Sequence, residues 1–106
     1  MSLTKGQITK TALLILKPRN KEVWMQNNLA VRGRKFIGRK GVPDIIGFTS
    51  KGLFMGCEVK TLGDSLSDDQ KLFLINLHKA GGIALIATED ERGQVEIIKF
   101  IDYINT

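Results

Sequence analysis

Two acidic residues and a lysine have a spacing that could support hydrolysis of a phosphodiester. Asp44 opens a short apolar run, thirteen residues separate it from Glu58, and Lys60 follows two positions later. Carboxylate oxygens select hard cations, so Mg²⁺ or Mn²⁺ held by this acidic pair, a backbone carbonyl and waters would satisfy both acids. Lys60 could then orient a metal-activated water or stabilise the charge that develops on a phosphate.

The turn between the two apolar runs decides whether the acids can cooperate. If the turn is Ser50-Lys51-Gly52, Asp44 lies directly opposite Glu58, with the two Cβ atoms about 5 Å apart. A two-residue turn would place the acids on opposite faces. The alternative to a metal site is an ion pair of Lys60 with either acid. In the three-residue register the residues on the core face of the return strand are Leu53, Met55, Cys57 and Val59.

Gln70 has two possible roles. It is the fourth residue of the capping box that begins at Ser67, so its side chain can reach back to the Ser67 amide. It also precedes Phe73 and Leu74 by three and four residues, which places it on the inward side of its helix, near the end of the Glu58 strand. A polar contact to substrate or to metal-bound water is therefore the second possibility.

A basic, glycine-containing segment and the overall charge indicate an anionic partner. Sixteen Lys and Arg against eleven Asp and Glu give a net charge of +5 and a pI near 9.6, which favours nucleic acid or a membrane surface. Glycines would let the backbone approach a phosphate chain closely. The alternative is a solubilising loop. The residues predicted to contact nucleic acid are Arg32, Arg34, Lys35, Arg39 and Lys40.

Local signals predict an α/β order of elements. Capping boxes beginning at Thr4 and Ser67 mark two helix starts, and an apolar run over 83–87 is typical of a strand buried on both faces, parallel to the return strand. Trp24 is predicted to lie in the core, and stacking on a nucleic-acid base is the alternative. The tail over 94–104 is ambiguous between a strand and a short helix. The predicted elements are a helix over 5–17, strands over 22–26, 44–49 and 53–60, a helix over 68–80 and a strand over 83–87.

Length and composition limit the class of protein. A chain of 106 residues that is 42% hydrophobic and 25% charged is expected to form one globular domain over 1–106 rather than a disordered segment. Its one cysteine, Cys57, cannot form an internal disulfide, which suits a reducing compartment. No apolar run reaches the roughly 18 residues needed to span a bilayer, and the start lacks a secretion signal. We expect a soluble cytoplasmic protein that does not bind membranes.

Several motifs together resemble one known family. They are Gly41-Val42-Pro43-Asp44-Ile45-Ile46-Gly47, Glu58-Val59-Lys60, Leu66-Ser67-Asp68-Asp69-Gln70 and Ala80-Gly81-Gly82, with Trp24-Met25-Gln26-Asn27-Asn28 and Arg32-Gly33-Arg34 before them. The chain resembles the VRR-NUC domain of the PD-(D/E)xK nuclease superfamily from about residue 22 to 87. Taken together, these motifs are much more specific than Glu-x-Lys alone.

The resemblance implies both a fold and a site. The fold would be a restriction-endonuclease-like α/β core, a mixed sheet flanked by helices in the order α-β-β-β-α-β. Asp44, Glu58 and the carbonyl of Val59 would bind the metal, Lys60 would be catalytic, and Gln70 would support the site. Stand-alone members of this size, as in phages and bacteria, are expected to form homodimers and to cut branched or otherwise structured DNA.

The first helix departs from the family pattern. Family members commonly carry a glutamate near its start that helps to hold metal-bound water, whereas no acid precedes Glu22 here. Gln7 is the nearest polar candidate, and capping explains its presence. The missing acid could weaken a second metal position, and we assign no function to this helix.

Two functions remain for the sequence as a whole. The first is a Mg²⁺- or Mn²⁺-dependent DNA endonuclease, selective for DNA structure because phosphate contacts carry little sequence information. The second is a non-catalytic nucleic-acid-binding module that kept the fold. An acidic pair repels phosphate, so Asp44 and Glu58 favour the enzyme.

Overall fold

The computed structural model describes residues 2–26 and 39–105, and its elements follow the predicted order with two additions near the end. The described helices are α1 (Lys5–Leu16), α2 (Asp68–Lys79) and α3 (Phe100–Ile104). The described strands are β1 (Glu22–Met25), β2 (Ile45–Phe48), β3 (Phe54–Val59), β4 (Ile83–Glu89) and β5 (Val95–Lys99). None of these helices is long and apolar enough to cross a membrane.

Both predicted capping boxes are present and begin the two longer helices. The Thr4 hydroxyl accepts a hydrogen bond from the Gln7 amide at 3.2 Å, and the Gln7 side chain accepts one from the Thr4 amide at 2.8 Å. Ser67 and Gln70 form the same reciprocal pair at 3.2 and 2.9 Å. These bonds fix where each helix begins, because the amides of a first turn lack acceptors within the helix.

The element ends lie within one or two residues of their predicted positions. Helix α1 ends at Leu16 and continues as a 3₁₀ turn over Lys17–Arg19 that contains Pro18. Helix α2 ends at Lys79, before Gly81 takes a positive φ of 90°. The ambiguous tail contains both candidate structures, because β5 runs directly into α3.

The strands form one mixed sheet in the order β1-β2-β3-β4-β5. Strands β3 and β4 are parallel and the other neighbours are antiparallel. A parallel pair needs a crossover connection, and α2 provides it. The predicted crossover and the mixed sheet flanked by helices are therefore confirmed.

The β2–β3 hairpin has the three-residue turn on which the acidic pair depends. The turn spans 50–52, and Ile45 pairs with Cys57. Carried one position further, this register sets Asp44 opposite Glu58, and the prediction that the two acids share a face is confirmed.

Apolar side chains form a cluster on each face of the sheet. The α1-side core consists of Ile8, Ala12, Leu16, Ile45, Met55, Cys57, Val59 and Ala87. The α2-side core consists of Leu66, Leu74, Ala84, Ile86 and Phe100. Because helices cover both faces of β3 and β4, these central strands are buried on both sides, and a polar side chain that they carry must find a partner inside the protein.

Two residues predicted as core are exposed instead. Trp24 and Leu53 are each 44% exposed. Val23 packs against the α1-side core, so strand alternation directs Trp24 to the other face. On that face α2 packs against β3 and β4, away from edge strand β1. Leu53 lies one residue before β3, next to the turn. Trp24 is exposed because no helix covers its face of the edge strand in the described chain, and Leu53 is exposed because it lies at the turn.

Candidate active site

The acidic pair lies at the end of the hairpin farthest from its turn. Asp44 directly precedes β2, where its carbonyl accepts a hydrogen bond from the Gln26 amide at 2.7 Å. Glu58 is the second-last residue of β3 and is only 1% exposed. Strand pairing therefore holds the backbone of both acids, and the rigidity of the sheet sets the distance between their carboxyl groups.

Both carboxylate oxygens of Asp44 have partners. Oδ2 accepts a hydrogen bond from the Val59 amide at 2.9 Å, and Oδ1 lies 3.0 Å from the Lys5 ammonium. Burial raises the pKa of the Asp44 carboxyl, but the neighbouring Glu58 carboxyl, the Val59 amide and the Lys5 ammonium outweigh it and bring the pKa below its usual value. Asp44 is therefore the ionised member of the pair.

Glu58 is buried with one of its oxygens unsatisfied. Oε1 accepts a hydrogen bond from Gln70 Nε2 at 3.2 Å, while Oε2 is fully buried and has no partner in the part of the chain that the structure describes. Burial raises the pKa of Glu58 to about 9, and the nearby negative charge of Asp44 contributes in the same direction. A protonated Glu58 can donate to Asp44, whereas an ionised Glu58 cannot.

These two acids fit a divalent cation. Two ionised carboxylates at opposed positions of paired strands repel each other, and burial removes part of their hydration, so a shared proton or a cation would stabilise the pair. Mg²⁺ is commonly held by one or two carboxylates and completes its shell with waters. No cluster of three or more His, Cys, Asp or Glu side chains occurs within residues 2–26 and 39–105. Among the described residues, a cation here would therefore meet a carboxylate pair rather than a closed cage of acidic ligands.

Lys60 lies beside the pair but binds elsewhere. Its ammonium donates to the Ser65 carbonyl at 3.1 Å and lies 3.6 Å from the Asp64 carboxylate. The ion pair of Lys60 with Asp44 or Glu58, which the sequence left open, is not found among the described residues. The Lys60 charge still lowers the pKa of Glu58, opposing the effect of burial. Its side chain is only 7% exposed, so it is held in place at the border of the site.

Gln70 performs the ordinary role and also reaches the site. Its Oε1 accepts a hydrogen bond from the Ser67 amide and completes the capping box, while its Nε2 donates a hydrogen bond to Glu58 Oε1. The expected inward position is confirmed. One planar amide thus links the start of α2 to the buried acid, so the capping geometry also orients the Glu58 carboxylate.

A close approach of backbones holds the Asp44 segment against α2. Gly41 has a φ of 82°, and a Cβ built there would lie 2.4 Å from the Asp69 carbonyl oxygen. Only glycine allows both the conformation and the contact. Gly56 likewise leaves room for Pro43, because a Cβ on Gly56 would lie 2.8 Å from the proline ring. Together these contacts fix the path of the chain into Asp44.

The basic segment is only partly described. Arg32, Arg34 and Lys35 lie outside the described residues. Arg39 and Lys40 are exposed, and the Arg39 guanidinium lies over the Phe73 ring, 5.7 Å from its centroid. Phe73 follows Gln70 by one turn of α2, so Arg39 is held on the helix that supplies Gln70 to the site. Contact of these basic side chains with nucleic acid remains a prediction.

The sequence did not assign Lys5 to the site, and it left Asp64 as a possible border residue. Lys5 carried a signal that was not used. It occupies the first position of a helix with no acid in its first turn, where the helix dipole disfavours a positive charge. A nearby anion offsets this unfavourable interaction, and here the anion is Asp44. Asp64 could not be assigned because its contact depends on the shape of the loop after β3.

Comparisons with known proteins give one family and one similar fold. The VRR-NUC domain family matches residues 4–90. The fold is similar to the structure of Archaeoglobus fulgidus Hjc, described as a Holliday junction resolvase from an archaeal hyperthermophile. The two share 17% sequence identity with a TM-score of 0.59, over 89% of this chain and 75% of that one. A comparison with curated protein sequences finds no match.

Proposed function

This chain belongs to the VRR-NUC family of nuclease domains, and from that premise we propose that it is a Mg²⁺- or Mn²⁺-dependent endonuclease that hydrolyses phosphodiester bonds in branched or otherwise structured DNA. The observation that carries the proposal is the Glu58 carboxylate, buried beside Asp44 with Oε2 lacking a partner in the described chain. Burying two acids side by side costs free energy, and a divalent cation at this pair would let both acids ionise and would satisfy the free oxygen.

The proposal gives each residue a distinct task. Asp44 and Glu58 would hold the cation, with the carbonyl of Val59 as a further ligand. The Val59 amide and the Gln70 side chain each orient one carboxylate through the hydrogen bonds described above. When bound, the cation supplies Lewis-acid stabilisation of the phosphate and lowers the pKa of a coordinated water.

Lys60 is the proposed catalytic base or electrostatic group. Water adds across a P–O bond of the DNA backbone, leaving one terminal phosphate and one hydroxyl. An ammonium near the reacting phosphate can position the water or stabilise the charge of the transition state. Its ammonium contacts Asp64 and Ser65 at the border of the site, and a reorientation of the long side chain would bring its charge toward substrate.

DNA is the proposed substrate because of charge and family membership. The net charge of +5 favours a polyanion. We propose that Arg32, Arg34, Lys35, Arg39 and Lys40 contact its phosphates, which gives affinity without base specificity. The likeness of the fold to a Holliday junction resolvase supports a branched substrate.

We also propose that the protein acts as a homodimer. Trp24, Phe48 and Phe54 lie on the same face of the sheet by register and are 37–44% exposed. Adjacent exposed aromatic side chains are typical of a protein contact surface. A second copy packed there would remove them from water and provide two active sites for a branched DNA. Sedimentation equilibrium tests this: Trp24→Ser with Phe48→Ser should give monomers, and a wild-type monomer at all concentrations would contradict it.

Cleavage assays test the central proposal. Labelled linear duplex, flap and four-way-junction DNA are incubated with the protein and Mn²⁺, Mg²⁺ or EDTA. We expect metal-dependent cuts in the branched substrates and no cuts in EDTA. Lys60→Met should abolish cleavage. Lys51→Met is the matched control, because Lys51 is exposed in the turn at the opposite end of the hairpin.

Three outcomes would contradict the proposal in different ways. Cleavage that survives EDTA would refute the metal, and unchanged cleavage by Lys60→Met would refute the role of that lysine. Binding of branched DNA without cleavage under any metal condition would identify a non-catalytic binding module instead.

A further inference from the structure

The ion pair between the first helix and the acidic pair is the starting observation. The Lys5 ammonium lies 3.0 Å from Asp44 Oδ1. Lys5 is the first residue of α1, where the helix dipole opposes its charge and no acid of the first turn compensates it. Lysine at this position is therefore held by Asp44 and not by its own helix.

The oxygen that Lys5 contacts is one that a bridging cation would need. Asp44 Oδ2 already accepts a hydrogen bond from the Val59 amide, and Glu58 Oε1 already accepts one from Gln70 Nε2. The two oxygens that accept no hydrogen bond from an amide are Glu58 Oε2 and Asp44 Oδ1, which makes them the most available to a cation. A cation held by both acids would therefore compete with the Lys5 ammonium for Asp44 Oδ1.

The geometry lets Lys5 leave. Its side chain is 57% exposed, against 23% for Asp44, so only the end of a flexible stem is fixed. Ion pairs with this much exposure are weak, because water competes for both charges. Displacing the ammonium therefore needs no rearrangement of the fold, in contrast to the Gln70 contact, which is tied to the capping box.

We propose that Lys5 is a tethered counter-ion that occupies the cation's place at Asp44 Oδ1 in the metal-free protein and is displaced when a divalent cation binds. The inference rests on the proposed function, since it concerns the same cation. Its consequence is that Lys5 lowers the affinity of the site for divalent cations. Lys5 is thus a positioning residue that regulates occupancy of the site.

Calorimetric titration of Mn²⁺ into the full chain, without DNA, tests this inference. Lys5→Met keeps the stem but removes the charge, and it should bind Mn²⁺ about fivefold more tightly than wild type, the scale that a partly exposed ion pair can supply. Lys5→Arg restores the charge and should return the affinity to the wild-type value. Lys10→Met is the matched control, since Lys10 is exposed on the same helix, and its affinity should not change.

The outcomes separate this inference from the proposed function. If wild type binds Mn²⁺ and Lys5→Met binds it equally or more weakly, the counter-ion role is refuted while the metal site stands. An equal gain in Lys10→Met would also refute it, because the effect would then be one of net charge. If none of the four proteins binds Mn²⁺, both the proposed metal dependence and this inference fail.

Discussion

The starts of α1 and α2 use the same local motif, and both deliver a side chain to the acidic pair. Each begins with a capping box whose fourth residue is glutamine. In α1 the Lys5 ammonium contacts Asp44, whereas in α2 the Gln70 amide donates a hydrogen bond to Glu58. The first contact is exposed and electrostatic, and the second is half-buried and directional. Thus one acid is neutralised reversibly while the other is held in a fixed orientation.

The difference shows that the capping box alone does not determine function. Gln7 and Gln70 each accept a hydrogen bond from the N-cap amide of their own helix. Gln7 is otherwise exposed, whereas Gln70 also reaches Glu58. What separates them is the position of each helix over the sheet. Helix α2 packs against β3, the strand that carries Glu58, so the first turn of α2 lies beside the buried Glu58 carboxylate.

Removing either acid should break the site that the two helices share. Asp44→Asn and Glu58→Gln should each lower Mn²⁺-dependent cleavage by more than the roughly 10- to 100-fold typical of losing a residue that only orients a metal ligand, because each variant loses a proposed cation ligand. Single-turnover cleavage of a four-way junction measures this. Glu96→Gln, which changes an exposed acid on β5, is the control and should cleave normally. Normal cleavage by Glu58→Gln would contradict the account.

Changing pH should reveal the cost of burying Glu58 in the metal-free protein. Below pH 4.5 its carboxyl is protonated in both the folded and the unfolded state. Between pH 4.5 and about 9 only the unfolded state releases the proton, so the free energy of unfolding should fall as pH rises, by up to about 1.4 kcal/mol per pH unit. The lowered pKa of Asp44 acts in the opposite sense, but below 3.8 and outside this range.

Urea unfolding in EDTA across this pH range measures the effect. Glu58→Gln should remove the fall, because an amide cannot ionise. An equal slope in wild type and variant would mean that another group is responsible.

Matched glutamine variants should separate the two helix starts. Gln7→Met and Gln70→Met each lose half of a capping box and should lower the free energy of unfolding by about 0.5–1 kcal/mol. Only Gln70→Met should also lower cleavage, by roughly tenfold, because only it loses a contact to a proposed cation ligand. Equal activities in the two variants would show that Gln70 acts as a cap alone.

The smallest expected effect concerns a contact that α2 has and α1 lacks. Arg39→Met removes the guanidinium from the Phe73 ring and should lower the free energy of unfolding by about 0.5–1 kcal/mol. If Arg39 also contacts phosphate, DNA affinity should fall and the salt dependence of binding should become shallower. Salt titration by fluorescence anisotropy checks this, and an unchanged slope would assign Arg39 to stability alone.

The parts of the fold that were predictable depend on neighbouring residues. Capping boxes, the three-residue turn and the apolar run of β4 are local signals, and they fixed the register that joins Asp44 and Glu58. The exposure of Trp24 was not predictable, because it depends on which strands α2 covers. The Lys5 contact joins residues 39 positions apart and required the packing of α1 on the sheet. Lys60 was placed beside the site, but its contact with Asp64 depends on loop shape.

Stability with and without cation is the most direct test of the central claim, that the buried pair exists to hold one. Wild type and Glu58→Gln are unfolded in urea at pH 8, in EDTA and in Mn²⁺. In EDTA the variant should be at least as stable as wild type. Mn²⁺ at about 100 times its dissociation constant should stabilise wild type by about 2.7 kcal/mol and leave the variant nearly unchanged. If Mn²⁺ stabilises neither protein, or both equally, Glu58 is not a cation ligand and the account is wrong.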